Sequence, residues 1–217
     1  MDFIFDPSLV LYLPLHERDG ATLYSKEGYG HRATVNGAVW TAQGMNFDGS
    51  DDKVTLNDNV IGSPLNFTTG DFTLEFWVNI DVLGPSDYRN IISRGVHETD
   101  GYYVDAREND KLRFSTDRAG ISYGINFGGF FSAGAWLHGA VTKSGGSAVI
   151  YRNGAIFATQ GGYGEPQSND RPTRTGIYGD GTSNPMDGTI GEVRVYNRAL
   201  SALEVQHNYL ATKWRYQ

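Results

Sequence analysis

Phe72, Leu74, Phe76 and Val78 alternate with Thr73, Glu75, Trp77 and Asn79. A period of two predicts a strand with one face turned to a core. The second face is not purely polar, because Trp77 lies on it. Such a strand is either central in a sandwich or lines a binding surface. Comparable runs span Leu9 to Leu15, Lys53 to Leu56, Gly101 to Arg107, Lys111 to Ser115, Trp136 to Thr142, Ser147 to Tyr151 and Glu192 to Tyr196. Turn sequences punctuate them: Glu108-Asn109-Asp110, Ser144-Gly145-Gly146 and Asn153-Gly154, the last a strong hairpin signal. One segment predicts a helix, over residues 201–214. Ser201 and Glu204 form a capping box at its start. Leu203, Leu210 and Trp214 fall near one face, which is expected to dock on the edge of the sandwich. No repeat or linker divides the chain, so residues 1–217 are expected to form a single domain. The stretches 161–172 and 179–188 are expected to be long loops.

Composition narrows the function classes. Among 217 residues there are 28 glycines, 7 prolines and no cysteine. Abundant glycine with little proline fits short strands and tight turns rather than a disordered tract. The lack of cysteine removes disulfides, thiol nucleophiles and Cys-ligated zinc. Asp and Glu number 25 against 18 Lys and Arg, a formal charge of −7. That balance argues against a nucleic-acid partner, which calls for a positive face. No run approaches the ~18 apolar residues of a membrane span, so no membrane insertion is expected. Met1 to Asp6 carries neither a basic region nor an apolar stretch of the secretory kind.

Three segments carry a family resemblance. They are Phe47-Asp48-Gly49-Ser50-Asp51-Asp52-Lys53-Val54 with Phe72 to Val78, then Trp136 to Thr142 through Ile150-Tyr151-Arg152-Asn153-Gly154, then Gly188 to Ser201. With Leu11-Tyr12-Leu13-Pro14-Leu15 they resemble a laminin-G-like domain of the concanavalin A-like lectin/glucanase superfamily. The resemblance implies an all-β jelly-roll β-sandwich of two antiparallel sheets, here with a short C-terminal helix. It also implies that one concave sheet can carry ligands, and that members bind glycans, proteins or calcium. Glucanases of the superfamily carry a Glu-x-Asp-x-Glu or Glu-x-Asp-x-x-Glu run; here Glu108-Asn109-Asp110 is followed by Leu112 and Arg113. No carboxylate pair of the glycosidase kind is therefore apparent. Gly120-Ile121-Ser122-Tyr123-Gly124 matches a nucleophile-elbow pattern but lacks a following helix. His138 is expected to be a packed structural histidine.

Two sets of residues remain as candidate sites. Hard cations take several oxygen ligands from carboxylates, amides and carbonyls. Asp48, Asp51 and Asp52 in one turn, and Asp180, Asn184 and Asp187 in another, supply them, so Asp48, Asp52, Asp180 and Asp187 are the expected ligands of a Ca2+ ion. The same residue types also suit turns for their own sake. The resemblance would place a further ligand where Gly191 stands. Sugar recognition uses aromatic faces with carboxylates or guanidinium groups. Glu75 and Trp77 share one strand face; Tyr103, Asp105 and Arg107 share another, with Arg113 on the neighbouring strand. These five residues of two strands are expected to form a concave recognition face for a glycan or surface polysaccharide. The expected function is a non-catalytic recognition module. The alternatives are a structural or tail-associated virion protein assembled on a larger particle, and a glycoside hydrolase with an unrecognised carboxylate pair. The expected placement is extracellular-facing or on a virion surface.

Overall fold

The computed structural model describes residues 6–17 and 20–217. Met1 to Phe5, read above for a secretory signal, lie outside the described residues. The strands are β1 (Leu9–Pro14), β2 (Thr22–Tyr24), β3 (Arg32–Asn36), β4 (Val39–Trp40), β5 (Met45–Asp48), β6 (Lys53–Leu56), β7 (Phe72–Ile80), β8 (Arg89–Val96), β9 (Asp100–Arg107), β10 (Lys111–Arg118), β11 (Ile121–Ser122), β12 (Ile125–Phe127), β13 (Trp136–Ser144), β14 (Ser147–Arg152), β15 (Ala155–Gly161), β16 (Arg174–Thr175) and β17 (Asp187–Tyr196). Helix α1 (Ala202–Thr212) and a 3-10 turn (Lys213–Arg215) follow.

Two antiparallel sheets result. The first runs β15-β14-β13-β7-β17-β5-β4, with β1 also paired to β17; the second runs β11-β10-β9-β8-β16-β6-β3-β2, with β12 also paired to β10. Alternation places Phe72, Leu74, Phe76, Val78 and Ile80 of β7 in one core cluster with Tyr102, Val104 and Ala106 of β9 and Leu112 and Phe114 of β10. That cluster is the filling between two sheets whose inner faces interdigitate. The chain is thus an all-β sandwich with one short C-terminal helix, as its periodicity predicts.

The helix begins as expected. Ser201 Oγ accepts from the Glu204 backbone N–H, and the Glu204 carboxylate accepts from the Ser201 N–H at 2.8 Å. Its docking face differs from expectation. Leu203, Leu210 and Trp214 are 77%, 49% and 67% exposed, whereas Val205, Asn208 and Thr212 are buried. The reason lies in the surface beneath, the outer face of the first sheet, which combines a small apolar cluster around Val205 with a polar group at Glu75. Glu75 of β7 meets His138 Nε2 at 2.7 Å and accepts from Asn208 Nδ2 at 3.0 Å. Arg194 of β17 lies 3.3 Å from the same carboxylate. Burial alone would raise the Glu75 carboxyl, but Arg194, His138 and Asn208 outweigh it and hold it below the usual carboxylate range. The helix therefore turns amide and hydroxyl groups inward to complete hydrogen bonds that a leucine face would leave unmade.

This layer corrects two of the expected ligand contacts. Glu75 and Trp77 are 1% and 3% exposed. Trp77 stacks on Tyr216 and Tyr209 at centroid distances of 4.4 and 5.7 Å, and its indole N–H donates to Thr212 Oγ1 at 2.9 Å. Both side chains belong to a second packed layer under the helix, not to a recognition face. His138 has no exposed surface and is the packed, hydrogen-bonded histidine expected. Gly191 has its own cause: a Cβ there would lie 2.3 Å from the Tyr216 ring.

Candidate functional site

Among the described residues, no helix covers the outer face of the second sheet. Alternation turns Tyr103, Asp105 and Arg107 of β9 outward, opposite Tyr102, Val104 and Ala106. Strand register then builds polar rows across neighbouring strands, because residues paired directly across an antiparallel ladder share a face. One row is Asn90–Asp105–Arg113; another is Arg174–Ser93–Tyr103–Ser115.

The segment between β16 and β17 curls over these rows. It is held by Ser93 Oγ donating to the Ile177 carbonyl (3.3 Å), the Asn90 N–H donating to the Asn184 carbonyl (3.0 Å), and Lys53 Nζ donating to the Gly181 carbonyl (3.3 Å). The Tyr178 hydroxyl accepts from the His97 N–H. Between loop and sheet lies an open pocket of about 340 Å3, lined by Tyr88, His97, Arg107, Arg113, Tyr178, Asp180, Ser183 and Asn184. That volume is at the lower end of the usual range for small-ligand sites, roughly 300–1,000 Å3.

Two guanidinium groups converge beneath the pocket. Arg107 Nε lies 3.2 Å from Asp105 Oδ2, and Arg113 Nε lies 3.3 Å from Asp105 Oδ1. Asp105 itself has no exposed surface. Burial pushes its carboxyl up to about 7, against the opposing pull of Arg107, with Glu108 and Asp117 adding to the rise. Each guanidinium also covers an aromatic face: Arg107 sits 4.1 Å above the Tyr88 ring and Arg113 4.5 Å above the Tyr103 ring. Tyr178 meets Tyr103 edge-on at 5.1 Å.

The expected site residues therefore separate into roles. Tyr103, Asp105, Arg107 and Arg113 do come together, but on the sheet opposite to Glu75 and Trp77. Tyr103 and Asp105 are fully buried, so neither offers a surface to a ligand; they support the arginines. Of the five residues expected to touch a ligand, Arg107 alone lines the pocket. Tyr88, His97, Tyr178 and Ser183 went unrecognised in the sequence, and Asn184 was read there only as a donor for a cation. A bulge in β8, where the register shifts between Asn90 and Ile92, hides the alternation of that strand. The 179–188 loop was visible as a long loop with candidate cation donors, not as the wall of a pocket.

The expected cation ligands separate as well. Asp48, Asp51 and Asp52 bring one carboxylate oxygen each to within 4.8 Å of the others. Asp52 is buried, and its carboxyl is raised by burial and by the neighbouring charges of Asp48 and Asp51, while its Oδ2 accepts from the Asp48 N–H. Gly37 makes room for it, since a Cβ there would lie 1.8 Å from Asp52 Oδ1. This donor set suits a hard cation. Asp180 and Asp187 do not join it. Asp180 accepts from the Thr182 and Ser183 N–H groups and the Ser183 hydroxyl within its own turn. Asp187 pairs with Asp48 across β5 and β17, but its carboxylate faces Arg89 at 3.7 Å.

The comparisons agree with this architecture. The family model for the concanavalin A-like lectin/glucanases superfamily, of the laminin-G type, matches residues 48–206. The chain belongs to that superfamily. Among solved structures it is similar to the receptor-binding domain of botulinum neurotoxin type G, at 19% identity and a TM-score of 0.73, over 94% of this chain and 51% of that one. It is also similar to the ligand-binding domain of botulinum neurotoxin serotype D solved with N-acetylneuraminic acid, at 17% identity and a TM-score of 0.70, over 94% and 51%. The binding domain of botulinum neurotoxin DC in complex with rat synaptotagmin II matches at 17% identity and 0.70, with the same coverage. The chain spans about half the length of these toxin domains. Curated proteins give no significant match.

Proposed function

We propose that the chain is a non-catalytic recognition module that binds glycans in the pocket between β9, β10 and the loop at 177–184. The carrying observation is the pair Arg107 and Arg113, converging on buried Asp105 beneath a pocket large enough for a sugar. Membership of a lectin and glucanase superfamily, and the likeness to receptor-binding folds, support a binding role. A hydrolase is disfavoured by the arrangement of carboxylates. Asp105 and Asp117 face the same side, but Asp117 lies four residues along β10 from Arg113, the partner of Asp105. That is a backbone offset of about 13 Å along the strand, and Asp105 is held between Arg107 and Arg113. Asp117 is also engaged by the Ser115 hydroxyl and the Glu98 N–H. Glu108-Asn109-Asp110 forms the β9–β10 turn, with Asn109 at φ 65°.

A hard cation, if bound, would be held by Asp48, Asp51 and Asp52, where it would offset their mutual repulsion. The test of the main reading is binding of the full chain to a glycan array, repeated with an Arg107→Gln/Arg113→Gln double variant. Retention on the array that the double variant loses is expected. An empty array, or retention untouched by the double variant, would overturn it.

A further inference from the structure

The pocket's polar groups point to a particular ligand chemistry. Recognition of a neutral sugar leans on an open aromatic face for its C–H groups. Here the faces of Tyr88 and Tyr103 that lie toward the arginines are covered by guanidinium groups, and Tyr178 is only 6% exposed. What the pocket does present is a pair of guanidinium groups. Arg107 and Arg113 share one carboxylate, so one guanidinium charge is unmatched within the trio. The Asp180 carboxylate also lines the pocket, but it is hydrogen-bonded within its own turn and, among the described residues, forms no ion pair with either arginine. Asp117 accepts from the Ser115 hydroxyl and the Glu98 N–H and lies 3.5 Å from His97 Nδ1 at the rim. Nε of Arg107, and Nε and Nη2 of Arg113, are directed at Asp105; among the described residues the other guanidinium N–H groups of these two pocket-lining side chains make no hydrogen bond. A planar fork of this kind fits a carboxylate bidentately.

Two further observations mark the same place. Asn90 has no exposed surface and shares the row of Asp105 and Arg113, yet neither of its amide atoms is hydrogen-bonded. An unsatisfied buried amide is costly and unusual in a folded protein. Two rim positions also hold a positive φ without glycine: Glu98, beside His97, has φ 57°, and Asn184 has φ 51°. Non-glycine residues held there are enriched at ligand sites.

We infer that the pocket binds the carboxylate of an acidic sugar residue, a uronic or a sialic acid, between Arg107 and Arg113. This rests on the glycan-recognition reading and sharpens it. The ligand's carboxylate takes the guanidinium N–H groups that Asp105 leaves, and Asp105 holds both forks in place from below.

The test is an array of uronate- and sialate-terminated glycans, each printed beside its carboxyl-reduced counterpart and beside sulfated neutral glycans. Binding to one acidic class is expected, with the reduced counterpart roughly tenfold to a hundredfold weaker, the worth of one charge-assisted hydrogen bond. Which class is retained distinguishes the two acids. Arg107→Gln and Arg113→Gln should each lose a similar factor while melting as a folded protein. Reduction of the ligand leaves the protein untouched, so that arm stands even if a variant fails to fold. Equal binding of acid and reduced forms would overturn the carboxylate inference and leave glycan recognition standing. Equal binding of sulfated glycans would also overturn it, exposing a general anion surface. No binding to any glycan would overturn both.

Discussion

Replacing Trp77 with Ala separates a buried polar layer from a ligand surface. Trp77 is 3% exposed, stacks on Tyr216 and Tyr209, and donates to Thr212. Truncation removes the largest side chain between the first sheet and the C-terminal helix. Trp→Ala changes in cores cost about 3–5 kcal/mol, and each lost aromatic pair adds ~0.5–1.5 kcal/mol. A loss of roughly 4–6 kcal/mol is expected, partly relieved if Tyr216 collapses into the space. For a domain of this length, each kcal/mol lowers Tm by about 2–4 °C, so the drop should be roughly 8–24 °C. Thermal and urea unfolding of the full chain measure it, with Leu210→Ala as the control. Leu210 faces solvent, and its truncation should change stability by no more than ~0.5 kcal/mol. Glycan binding per folded molecule should be unchanged, because Trp77 and the pocket lie on opposite sheets. A Tm drop below 2 °C for Trp77→Ala, or a large one for Leu210→Ala, would refute the docking described here.

Ser201→Ala should cost about 1 kcal/mol through the lost cap, read by urea unfolding. Gly188→Ala should be severely destabilising, since Gly188 has φ 139° and a Cβ would lie 2.2 Å from the Asn79 carbonyl oxygen; normal expression and melting would contradict that. Calcium should raise Tm relative to chelator, by about 2.7 kcal/mol of stability at a hundredfold excess over Kd; Asp52→Asn should abolish the rise, and identical melting with and without calcium would remove the metal. For Asp105 the folded carboxyl titrates near 7 against about 3.9 unfolded. The folded state thus binds the extra proton between those values, and stability falls as pH rises through that window. The advantage of Asp105→Asn over the parent should therefore grow from pH 4 to 7 and level off above; a constant difference would show that Asp105 titrates as an ordinary aspartate.

The strands were legible because a single period of two carries the inner faces of both sheets. Phe72 to Ile80 and Tyr102 to Ala106 announce themselves wherever they sit. Capping was legible for a similar reason, since Ser201 and Glu204 act within one turn. The docking face of the helix was not. Leu203, Leu210 and Trp214 make the more apolar stripe, and only the presence of Glu75, His138 and Arg194 beneath reverses the preference toward Asn208 and Thr212. That information lies more than a hundred residues away along the chain for Glu75. The pocket was half legible: Tyr103, Asp105, Arg107 and Arg113 share a face by alternation and hairpin register, both local. Tyr88, His97 and Tyr178 reach it through a bulged strand, a hairpin end and a loop, which no periodicity encodes.

The two sheets pose the same problem in sequence and solve it differently. Each outer face carries an acid flanked by basic groups and aromatic rings: Glu75 with His138, Arg194 and Trp77 on one, Asp105 with Arg107, Arg113 and Tyr103 on the other. What sets their roles is the cover. Helix α1 brings Asn208 and Thr212 as partners, and closes the first face into a hydrogen-bonded layer in which Glu75 is held ionised. The loop at 177–184 anchors itself mainly by backbone carbonyls, at Ile177, Gly181 and Asn184. Its one carboxylate, Asp180, lines the pocket but forms no ion pair with Arg107 or Arg113 among the described residues, while Asp105 stays poorly compensated at about 7. A covered face whose acid is hydrogen-bonded from above, as Glu75 is by Asn208, contributes to stability; one whose cationic groups are paired only from below retains capacity for an anion. On that physical distinction the proposed site falls on the second sheet and not on the first.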